Sequence, residues 1–523
     1  MIRDLSAAGA CAEQADVVVI GAGTVGLVVA TRLARRGLRV ICLESGGRQQ
    51  TADEHPLNAV LHRRAIYAGA AHGRFRCLGG TSTRWGGALI PFLGADLRNT
   101  GWPLAMDELS PYLAEVEALF GLPDGPYELA PLVGDPTRPH VARLAKWPAF
   151  RRRNVYNLLA GEVGRSANLT VWLNATATTF RVADGRLQDV VAEAADGSRL
   201  TIRAREVLIC AGAIESTRLL LALDRQNGGC LRTRSDTLGR YFHDHLSVPF
   251  ATLSVREPAA LNREVGFRFG PGGTMRNLRF ELGEGNPDRR TVPPCFAHVA
   301  FVAPPGSGFD ALRDLFRHLQ RRERPPWATV GRLLKATPWL ARVAWWRAVE
   351  RRLLYPDDAT IEVHMVIEQA PLAENRITLA DDHTDRFGLP LAAIDWSVGA
   401  ADVAALWRAV ASFEASWSAS PLARMASLDR LPAEAVEAAL QVGGGIYHPG
   451  GSTRMSADPA EGVVDRDLRL HEVPNTRVVA TSVLPTGGGA NPTMMLLLLG
   501  LRCADQVVAA LAEPAGRPAP AVG

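Results

Sequence analysis

The stretch VVVIGAGTVGLVVATRLARRGLRVICLES, Val17 to Ser45, decides the fold. An apolar run enters a turn containing Gly21, Gly23 and Gly26, and a helix-like segment and a second apolar run ending at Glu44 follow. Strand, glycine-rich turn, helix, strand and acid in this order hold a dinucleotide pyrophosphate on the helix N-terminus, where the dipole and free N–H groups favour an anion. The sequence therefore predicts a dinucleotide site.

Each residue of this fingerprint has its own physical task. Gly21 permits the tight turn, Gly23 lets the backbone approach the phosphates, and Gly26 lets helix and strand pack closely. Glu44 lies eighteen residues after Gly26, near the ~20 at which an acidic side chain accepts a hydrogen bond from the adenosine ribose. The pattern leaves open which dinucleotide binds and what chemistry follows.

Composition indicates a soluble globular chain of two or three domains. The 523 residues are 47% hydrophobic and 21% charged, and the net charge of +4 is too small to indicate a nucleic-acid partner. The seven cysteines are odd in number and form no C-x-x-C pair, which favours a reducing compartment over a disulfide framework. The first sixteen residues lack the apolar core of a signal peptide, so a cytoplasmic location is expected.

No apolar run reaches the ~18 to 20 residues of a membrane-spanning helix, so no transmembrane segment is expected. The short run MMLLLLGL, Met494 to Leu501, is predicted to be a buried helix. No metal site is predicted, and the sequence leaves the oligomeric state open.

Periodicity places the fold in the α/β class. The dinucleotide-binding domain is predicted to be Rossmann-like and discontinuous, built from residues 1–100, 165–245 and 450–523. Alternation of apolar and polar residues over 165–205 predicts a small antiparallel meander, with turns at Asp184–Gly185 and Asp196–Gly197.

The rest of the chain is predicted to form a helical connection or lid, 101–164, and a substrate-binding domain, 246–449, on a mostly antiparallel sheet with helices. This domain carries an arginine-rich helical insert, 308–354, whose tryptophans are Trp327, Trp339, Trp345 and Trp346. One interpretation of the insert is a patch that docks on a membrane surface or a partner. The preferred interpretation is a solvated arginine face with the tryptophans packed inward.

Two further motifs indicate chemistry. LGGTSTRWGGALIPF, Leu78 to Phe92, surrounds hydroxyl side chains with glycines, which suits a loop pressed against a planar ligand. In GGGIYHPGGSTRM, Gly443 to Met455, His448 stands in a glycine-rich turn, and Asn491 stands in another, GGGANP. The two side chains could converge on one pocket, where a histidine takes a proton from a hydroxyl and an amide holds the oxygen.

These motifs together resemble the glucose–methanol–choline (GMC) oxidoreductases, FAD-dependent enzymes that oxidise alcohols, and among them the pyranose oxidase-like, sugar-oxidising branch. The resemblance runs through nearly the whole chain. It is strongest at Gly21–Glu44, Gly79–Gly87, Ala211–Leu221, Leu238–Leu246 and His448–Ala504.

The resemblance implies FAD as the dinucleotide and gives roles by position. His448 matches the active-site histidine of the family, and Asn491 matches the second active-site position, which is histidine or asparagine. The positions implied to contact FAD are Gly21, Gly23, Gly26, Glu44, Gly79, Gly80, Thr81, Ser82, Trp85, Gly86, Gly87, Ala211, Gly212, Pro492 and Thr493.

The chain departs from the family at one informative place. Some sugar oxidases of the family attach FAD covalently through the histidine of an S-T-H-W stretch, which reads Ser82–Thr83–Arg84–Trp85 in this sequence. Non-covalent FAD is therefore expected. His243 and His245, in LGRYFHDHL, belong to a motif of the family and are expected to be structural.

The reaction that the resemblance implies is oxidation of CH–OH to a carbonyl. His448 would take the hydroxyl proton, Asn491 would orient the oxygen, and hydride would pass to flavin N5. The S-T-R-W loop favours a sugar, glycoside, aminoglycoside or similar polyhydroxylated substrate. A sterol, aliphatic or aromatic alcohol stays open, as do a non-redox lyase that keeps FAD and a subunit docked through residues 308–354. The electron acceptor, O₂, a quinone or a carrier protein, is also open.

Overall fold

A computed structural model describes residues 1–51, 53–98, 100–129, 134–135, 138–321, 324–443 and 446–512. The last eleven residues of the predicted dinucleotide-binding domain, 513–523, lie outside this range.

The strands of the described chain share three sheets. In chain order they are β1 (Ile2–Asp4), β2 (Ala10–Ile20), β3 (Val40–Leu43), β4 (Val60–His62), β5 (Gly134–Asp135), β6 (Arg138–Trp147), β7 (Leu169–Leu173), β8 (Thr176–Ala183), β9 (Arg186–Glu193), β10 (Arg199–Ile209), β11 (His245–Val255), β12 (Arg268–Phe269), β13 (Met275–Leu282), β14 (Cys295–Val302), β15 (Thr360–Glu368), β16 (Arg376–Thr384), β17 (Pro390–Asp395), β18 (Ala426–Arg430) and β19 (Thr476–Val478).

The α-helices pack on these sheets or connect them. In chain order they are α1 (Thr24–Arg35), α2 (Gly69–His72), α3 (Gly94–Leu97), α4 (Leu113–Phe120), α5 (Val155–Arg165), α6 (Ala213–Gln226), α7 (Pro258–Val265), α8 (Gly308–Arg321), α9 (Trp327–Lys335), α10 (Thr337–Ala348), α11 (Ala400–Ser418), α12 (Leu422–Met425), α13 (Ala433–Gln441) and α14 (Thr493–Ala512).

The first sheet holds the predicted glycine-rich unit. Its order is β1-β7-β3-β2-β10-β9-β8, with β19 also on β10, and the pairs from β1 to β10 are parallel. Strand β2, helix α1 and strand β3 form the predicted crossover, with Val17 opposite Val40. The apolar ends of β2 and β3 are buried, as expected for strands covered on both faces. The predicted α/β fold is confirmed.

The predicted meander is confirmed in part. Strands β8, β9 and β10 are antiparallel neighbours, and Asp184, Gly185 and Gly197 have the positive φ of tight turns. Strand β7, at the start of the predicted meander, instead pairs in parallel with β3 and β1. Strand β7 is apolar and mostly buried, which is typical of a strand within a parallel sheet that is covered on both faces.

The second sheet is antiparallel, as predicted for the substrate-binding domain. Its order is β18-β11-β15-β14-β13-β6-β5, with β12 also on β13. Strand β6 lies within 101–164, so the prediction that this segment is a helical connection is wrong for residues 138–147. Arg143 and Lys146 are charged and therefore suggest an exposed segment, but both side chains are buried. An Arg143 guanidinium nitrogen lies 2.6 Å from a Glu281 carboxylate oxygen, and Lys146 Nζ lies 2.6 Å from a Glu117 carboxylate oxygen.

A small third sheet joins distant parts of the chain. Its order is β16-β17-β4, and β4 pairs in parallel with β17. The pairing ties residues 60–62 to residues 392–394.

In the described chain, one helix is long and apolar enough to cross a membrane, Thr493–Ala512. More than half of its apolar window is buried inside the protein. It packs on α1, where a Cβ at Gly500 would meet Val25 and Val29. The prediction of a buried helix at Met494–Leu501 is confirmed.

The insert is helical, but its preferred interpretation is wrong for two of its four tryptophans. Trp346 is buried under Arg263, whereas Trp327 is 88% exposed and Trp345 is 52% exposed. Helices α8 to α10 also expose Phe316 and Leu334 to solvent.

Candidate functional site

A cavity of about 670 Å³ lies in the cleft between the two large sheets. Most of the predicted site residues line it. From the first sheet and its loops, and from the two glycine-rich turns late in the chain, they are Gly21, Gly23, Glu44, Gly80, Thr81, Trp85, Gly86, Gly87, Ala211, Gly212, His448, Asn491, Pro492 and Thr493. Residues separated by more than 400 positions in the chain therefore share one wall.

Three residues predicted as FAD contacts do not line the cavity. A Cβ at Gly26 would overlap the carbonyl oxygen of Gly21, so Gly26 serves the packing of α1. Gly79 is backed by the Asn154 side chain. The Ser82 hydroxyl donates to the Gly79 carbonyl (2.5 Å) and accepts from the backbone N–H of Val155 (3.0 Å), which uses it inside the loop.

Three helix N-termini face the cavity. Helix α1 begins after Gly23 and helix α6 after Gly212, and neither cap is closed by a side-chain hydrogen bond. Helix α14 begins at Thr493, which also lines the wall. Free backbone N–H groups and aligned dipoles at these ends suit an anion.

Glu44 marks the end of the cavity expected for a ribose. Its carboxylate accepts from the backbone N–H groups of Ala22 (3.1 Å) and Gly46 (2.9 Å). Each oxygen keeps a second lone pair for a ligand hydroxyl. Burial raises the pKa of Glu44 to about 7. Arg74 and Arg76 line the same cavity and add positive charge that sequence analysis did not single out.

His448 and Asn491 meet in the cavity wall. The distance from His448 Nε2 to Asn491 Nδ2 is 3.2 Å. Asn491 Oδ1 is buried and has no hydrogen-bond partner among the described residues. The pair therefore offers a ligand both a ring nitrogen and an amide oxygen.

A chain of hydrogen bonds fixes where the protons of this site lie. His245 Nε2 is 2.8 Å from the Gly488 carbonyl oxygen, which can only accept, so Nε2 carries the proton. His245 Nδ1 of the neutral ring then accepts from His448 Nδ1, 3.1 Å away. His448 Nε2 is therefore unprotonated, and its lone pair accepts from the amide N–H of Asn491 in the cavity wall.

Both rings are neutral at pH 7. Burial lowers the pKa of His245 to about 4. Burial, His245 and the guanidinium of Arg279 hold the pKa of His448 well below its usual range. A neutral His448 with an unprotonated Nε2 can accept a proton from a bound hydroxyl.

Asp244 holds the loop that carries His448. Its Oδ1 accepts from the backbone N–H groups of His448 (2.5 Å) and His245 (2.7 Å), and its Oδ2 accepts from the hydroxyl of Tyr67 (2.5 Å). Burial raises the pKa of Asp244 to about 7 against these hydrogen bonds. One carboxylate thus sets the position of both histidines.

Glu368 binds the residue at the far end of this hydrogen-bond chain, Gly488. Its carboxylate accepts from the backbone N–H of Gly488 (2.6 Å), the residue whose carbonyl faces His245. Burial raises the pKa of Glu368 to about 8, so the protonated form is well populated at neutral pH.

Sequence reasoning missed these supporting residues. The expectation that His245 is structural is incomplete, because its ring touches His448, whereas His243 packs under Gly450 and Gly451 as expected. In the sequence, the Leu238–Leu246 block shows only that Asp244 and His245 are adjacent. Their role becomes visible only in the structure, where both contact His448.

The cavity fits a dinucleotide such as FAD. Helix N-termini would hold the pyrophosphate, and Glu44 would hold a ribose. The open side of Gly212, where a Cβ would have no atom within 4 Å, leaves room beside the α6 terminus. His448 and Asn491 stand in the same cavity, where a redox ring and an alcohol could meet.

Comparison with known proteins identifies two domains in the chain. Residues 371–500 match the family model described as GMC oxidoreductase, and residues 16–55 match the FAD binding domain. The chain is 22% identical to a 2-methyl-1,2-propanediol dehydrogenase of Mycolicibacterium austroafricanum over 95% of both chains. It is 26% identical to a paromamine 6'-oxidase of Streptomyces fradiae over 94% of this chain and 91% of that protein.

The fold agrees as well. A formate oxidase of Aspergillus oryzae superimposes with a TM-score of 0.59 at 17% identity, over 95% of this chain and 99% of that one. The chain therefore carries the C-terminal domain of GMC oxidoreductases together with an FAD-binding domain, as expected for an FAD-dependent oxidoreductase that acts on CH–OH donors.

Proposed function

We propose that this protein oxidises one hydroxyl group of a small polyhydroxylated molecule, a sugar or a related polyol, to a carbonyl. The observation that carries the proposal is the unprotonated Nε2 of His448, held beside the Asn491 amide in the cavity. Two of the similar proteins, named for a propanediol and for paromamine, support the substrate class.

In the proposed reaction, each residue of the site has one task. His448 Nε2 accepts the hydroxyl proton, and the amide of Asn491 orients the same oxygen. His245 accepts from His448 Nδ1–H and so keeps the proton on Nδ1, which leaves Nε2 unprotonated. FAD, when bound, supplies the acceptor for the two electrons and the carbinol hydrogen that the alcohol loses.

We also propose that FAD is held without a covalent bond. Arg84 stands where a linking histidine would be needed, and its Nε donates to Gln50 (2.6 Å). Denaturation of the holoenzyme with acid should release all flavin into the supernatant. Flavin that stays with the precipitated chain would contradict this part of the proposal.

Anaerobic flavin reduction tests the reaction and its substrate together. We expect polyols or sugars to bleach the flavin absorbance of the wild-type enzyme. His448→Ala should retain FAD and lose several orders of magnitude in reduction rate. His383→Ala, a change at an exposed histidine of the third sheet, is the matched control and should reduce at the wild-type rate.

Two alternatives are separated by the same assay. A lyase that keeps FAD would turn over its substrate without bleaching the flavin. A non-sugar alcohol such as a sterol would bleach it where sugars and polyols do not. Reoxidation of the reduced enzyme by O₂, a quinone or a carrier protein then identifies the acceptor.

A further inference from the structure

Arg279 is a buried cation in the wall of the cavity. It lies on β13, is 3% exposed and lines the cavity. Its Nε and Nη1 atoms are buried and have no hydrogen-bond partner among the described residues. The Phe296 ring lies 4.2 Å from the guanidinium carbon, which is its one favourable ring contact in that part of the chain.

The neighbouring cations are paired, which makes Arg279 stand apart. Arg143 lies directly opposite Arg279 in the β6–β13 register, and its guanidinium bonds Glu281 at 2.6 Å. Arg289 bonds Asp96 at 3.0 Å. Two like charges opposite each other on antiparallel strands repel, so this sheet carries Arg279 at a cost.

A buried guanidinium needs a counter-charge with oxygen acceptors. Burial of an unpaired charge is among the most unfavourable events in folding, and a contact with one aromatic face offsets only a part of it. Arg279 lines the cavity with N–H groups that have no partner in the described chain, and its planar guanidinium matches the geometry of a carboxylate or a phosphate. The buried carboxylate of Glu281 attracts Arg279 but forms its ion pair with Arg143, so a ligand of the cavity can supply the hydrogen-bonded oxygens that Arg279 lacks.

We propose that Arg279 binds an oxyanion, a carboxylate or a phosphate, carried by the alcohol substrate. The inference rests on the proposed function, because it places the anion on the molecule whose hydroxyl faces His448. It narrows the substrate to acidic polyols, such as sugar acids or phosphorylated sugars, and disfavours cationic aminoglycosides by charge repulsion.

One neighbour on the same face, His298, supports a polar ligand. The register that sets Phe280 opposite Ala297 places His298 opposite Arg279. His298 also lines the cavity, and its Nδ1 is buried with no hydrogen-bond partner in the described chain. Burial lowers the pKa of His298 to about 3, so it can contact a hydroxyl as a neutral ring without adding charge.

Electrostatics couple the two ends of such a substrate. Arg279 is one of the groups that lower the proton affinity of His448. An oxyanion on Arg279 would offset that positive charge, so that His448 becomes a stronger base when an acidic substrate is in place.

Anion binding to the FAD-loaded enzyme tests the proposal without turnover. Inorganic phosphate and acetate are the probes, and the perturbation of the flavin absorbance gives their Kd. We expect at least one of them to bind the wild type, and Arg279→Gln to weaken it about tenfold to a hundredfold. Arg279→Lys keeps the charge and should weaken it less. Arg276→Gln, on the other face of the same strand, should leave the Kd unchanged.

The choice of probe assigns the group. Tighter phosphate binding assigns a phosphorylated substrate, and tighter acetate binding assigns a carboxylate. No binding of either anion to the wild type would overturn the proposal, as would equal binding by Arg279→Gln. A shift of the flavin reduction potential in Arg279→Gln with anion binding intact would also overturn it, because Arg279 would then serve the flavin.

Matched substrates separate this proposal from the proposed function. Glycerol, glycerate and glycerol 3-phosphate differ in charge and share the hydroxyl groups. Faster flavin reduction by an acidic member in the wild type, lost in Arg279→Gln, supports the inference. Equal reduction by neutral and acidic members in both proteins overturns it and leaves alcohol oxidation standing. Anion binding with no reduction by any alcohol refutes alcohol oxidation, and with it the placement of the anion on an alcohol.

Discussion

Replacement of His245 tests whether a second histidine sets the proton position of His448. The ring of His245 donates from Nε2 to the Gly488 carbonyl and accepts at Nδ1 from His448. His245→Leu keeps the apolar bulk and removes both hydrogen bonds. His448 Nδ1–H and the carbonyl of Gly488 then have no partner on that side.

The size of the effect follows from the lost partner. A buried donor left without an acceptor costs about 1–3 kcal/mol. His448 can escape this cost by moving its proton to Nε2, which blocks the atom that must take the proton of the substrate. The productive tautomer therefore becomes the minor one, and the limiting rate of flavin reduction should fall about 5- to 150-fold.

His245→Gln separates positioning from packing. The glutamine amide has one group that donates and one that accepts, so it can replace both hydrogen bonds of the ring. Stopped-flow reduction under anaerobic conditions should show a large loss for the leucine variant and a smaller loss for the glutamine variant. Substrate affinity and FAD content should stay near those of the wild type in both.

The control is His383→Leu, because this histidine is exposed and contacts only Asp382 in the described chain. A leucine variant of His245 that reduces at the wild-type rate would refute the tautomer argument. Equal losses in the leucine and glutamine variants, accompanied by loss of FAD, would instead assign His245 a structural role.

Three further predictions concern pH and packing. Protonation of the base His448 should not lower the reduction rate between about pH 8 and about 6.5, because its pKa lies under the usual value of about 6.5; a pH series of stopped-flow traces measures this, and a decline within that range would indicate titration of Asp244 or Glu368. Gly26→Ala should lower the free energy of unfolding by about 1–3 kcal/mol, since its Cβ overlaps the Gly21 carbonyl, and thermal unfolding of the protein checks it. Gly212→Ala meets no atom within 4 Å, but the φ of +76° and ψ of 169° at this position suit only glycine, so it should lower the free energy of unfolding by about 1–3 kcal/mol and retain FAD less well, as measured by flavin content after dialysis.

The parts of the fold that could be predicted are those whose signal is local. Strand β2, helix α1 and strand β3 lie within 34 residues, and their apolar runs and glycines occur at fixed spacing. Strand β6 could not be predicted, because its sequence carries Arg143 and Lys146. Their carboxylate partners, Glu281 and Glu117, lie on other elements, so only the tertiary structure shows that these cations are buried.

The same limit applies to the site. His448 and Asn491 could be singled out because each stands in a glycine-rich turn, and the structure brings their side chains to 3.2 Å. The sequence around His245 does not show whether its ring hydrogen-bonds to backbone groups or to the ring of another histidine. Arg279 lies in MRNLRFEL, where the alternation is typical of a strand with a solvated face, and that face is the cavity wall.

His448 has a low proton affinity, and its surroundings explain how it could still act as the base. His448 alone would be a poor acceptor for an alcohol proton, because burial and Arg279 disfavour its charged form. The same surroundings, Arg279 and the N-terminus of α14 beside Asn491, favour negative charge on the substrate oxygen. The cavity would therefore assist proton removal by stabilising the alkoxide and not by raising the basicity of His448. Proton removal then depends on how closely the hydroxyl approaches these groups, which explains why fixing the position and tautomer of His448 takes the carboxylate of Asp244 and the ring of His245.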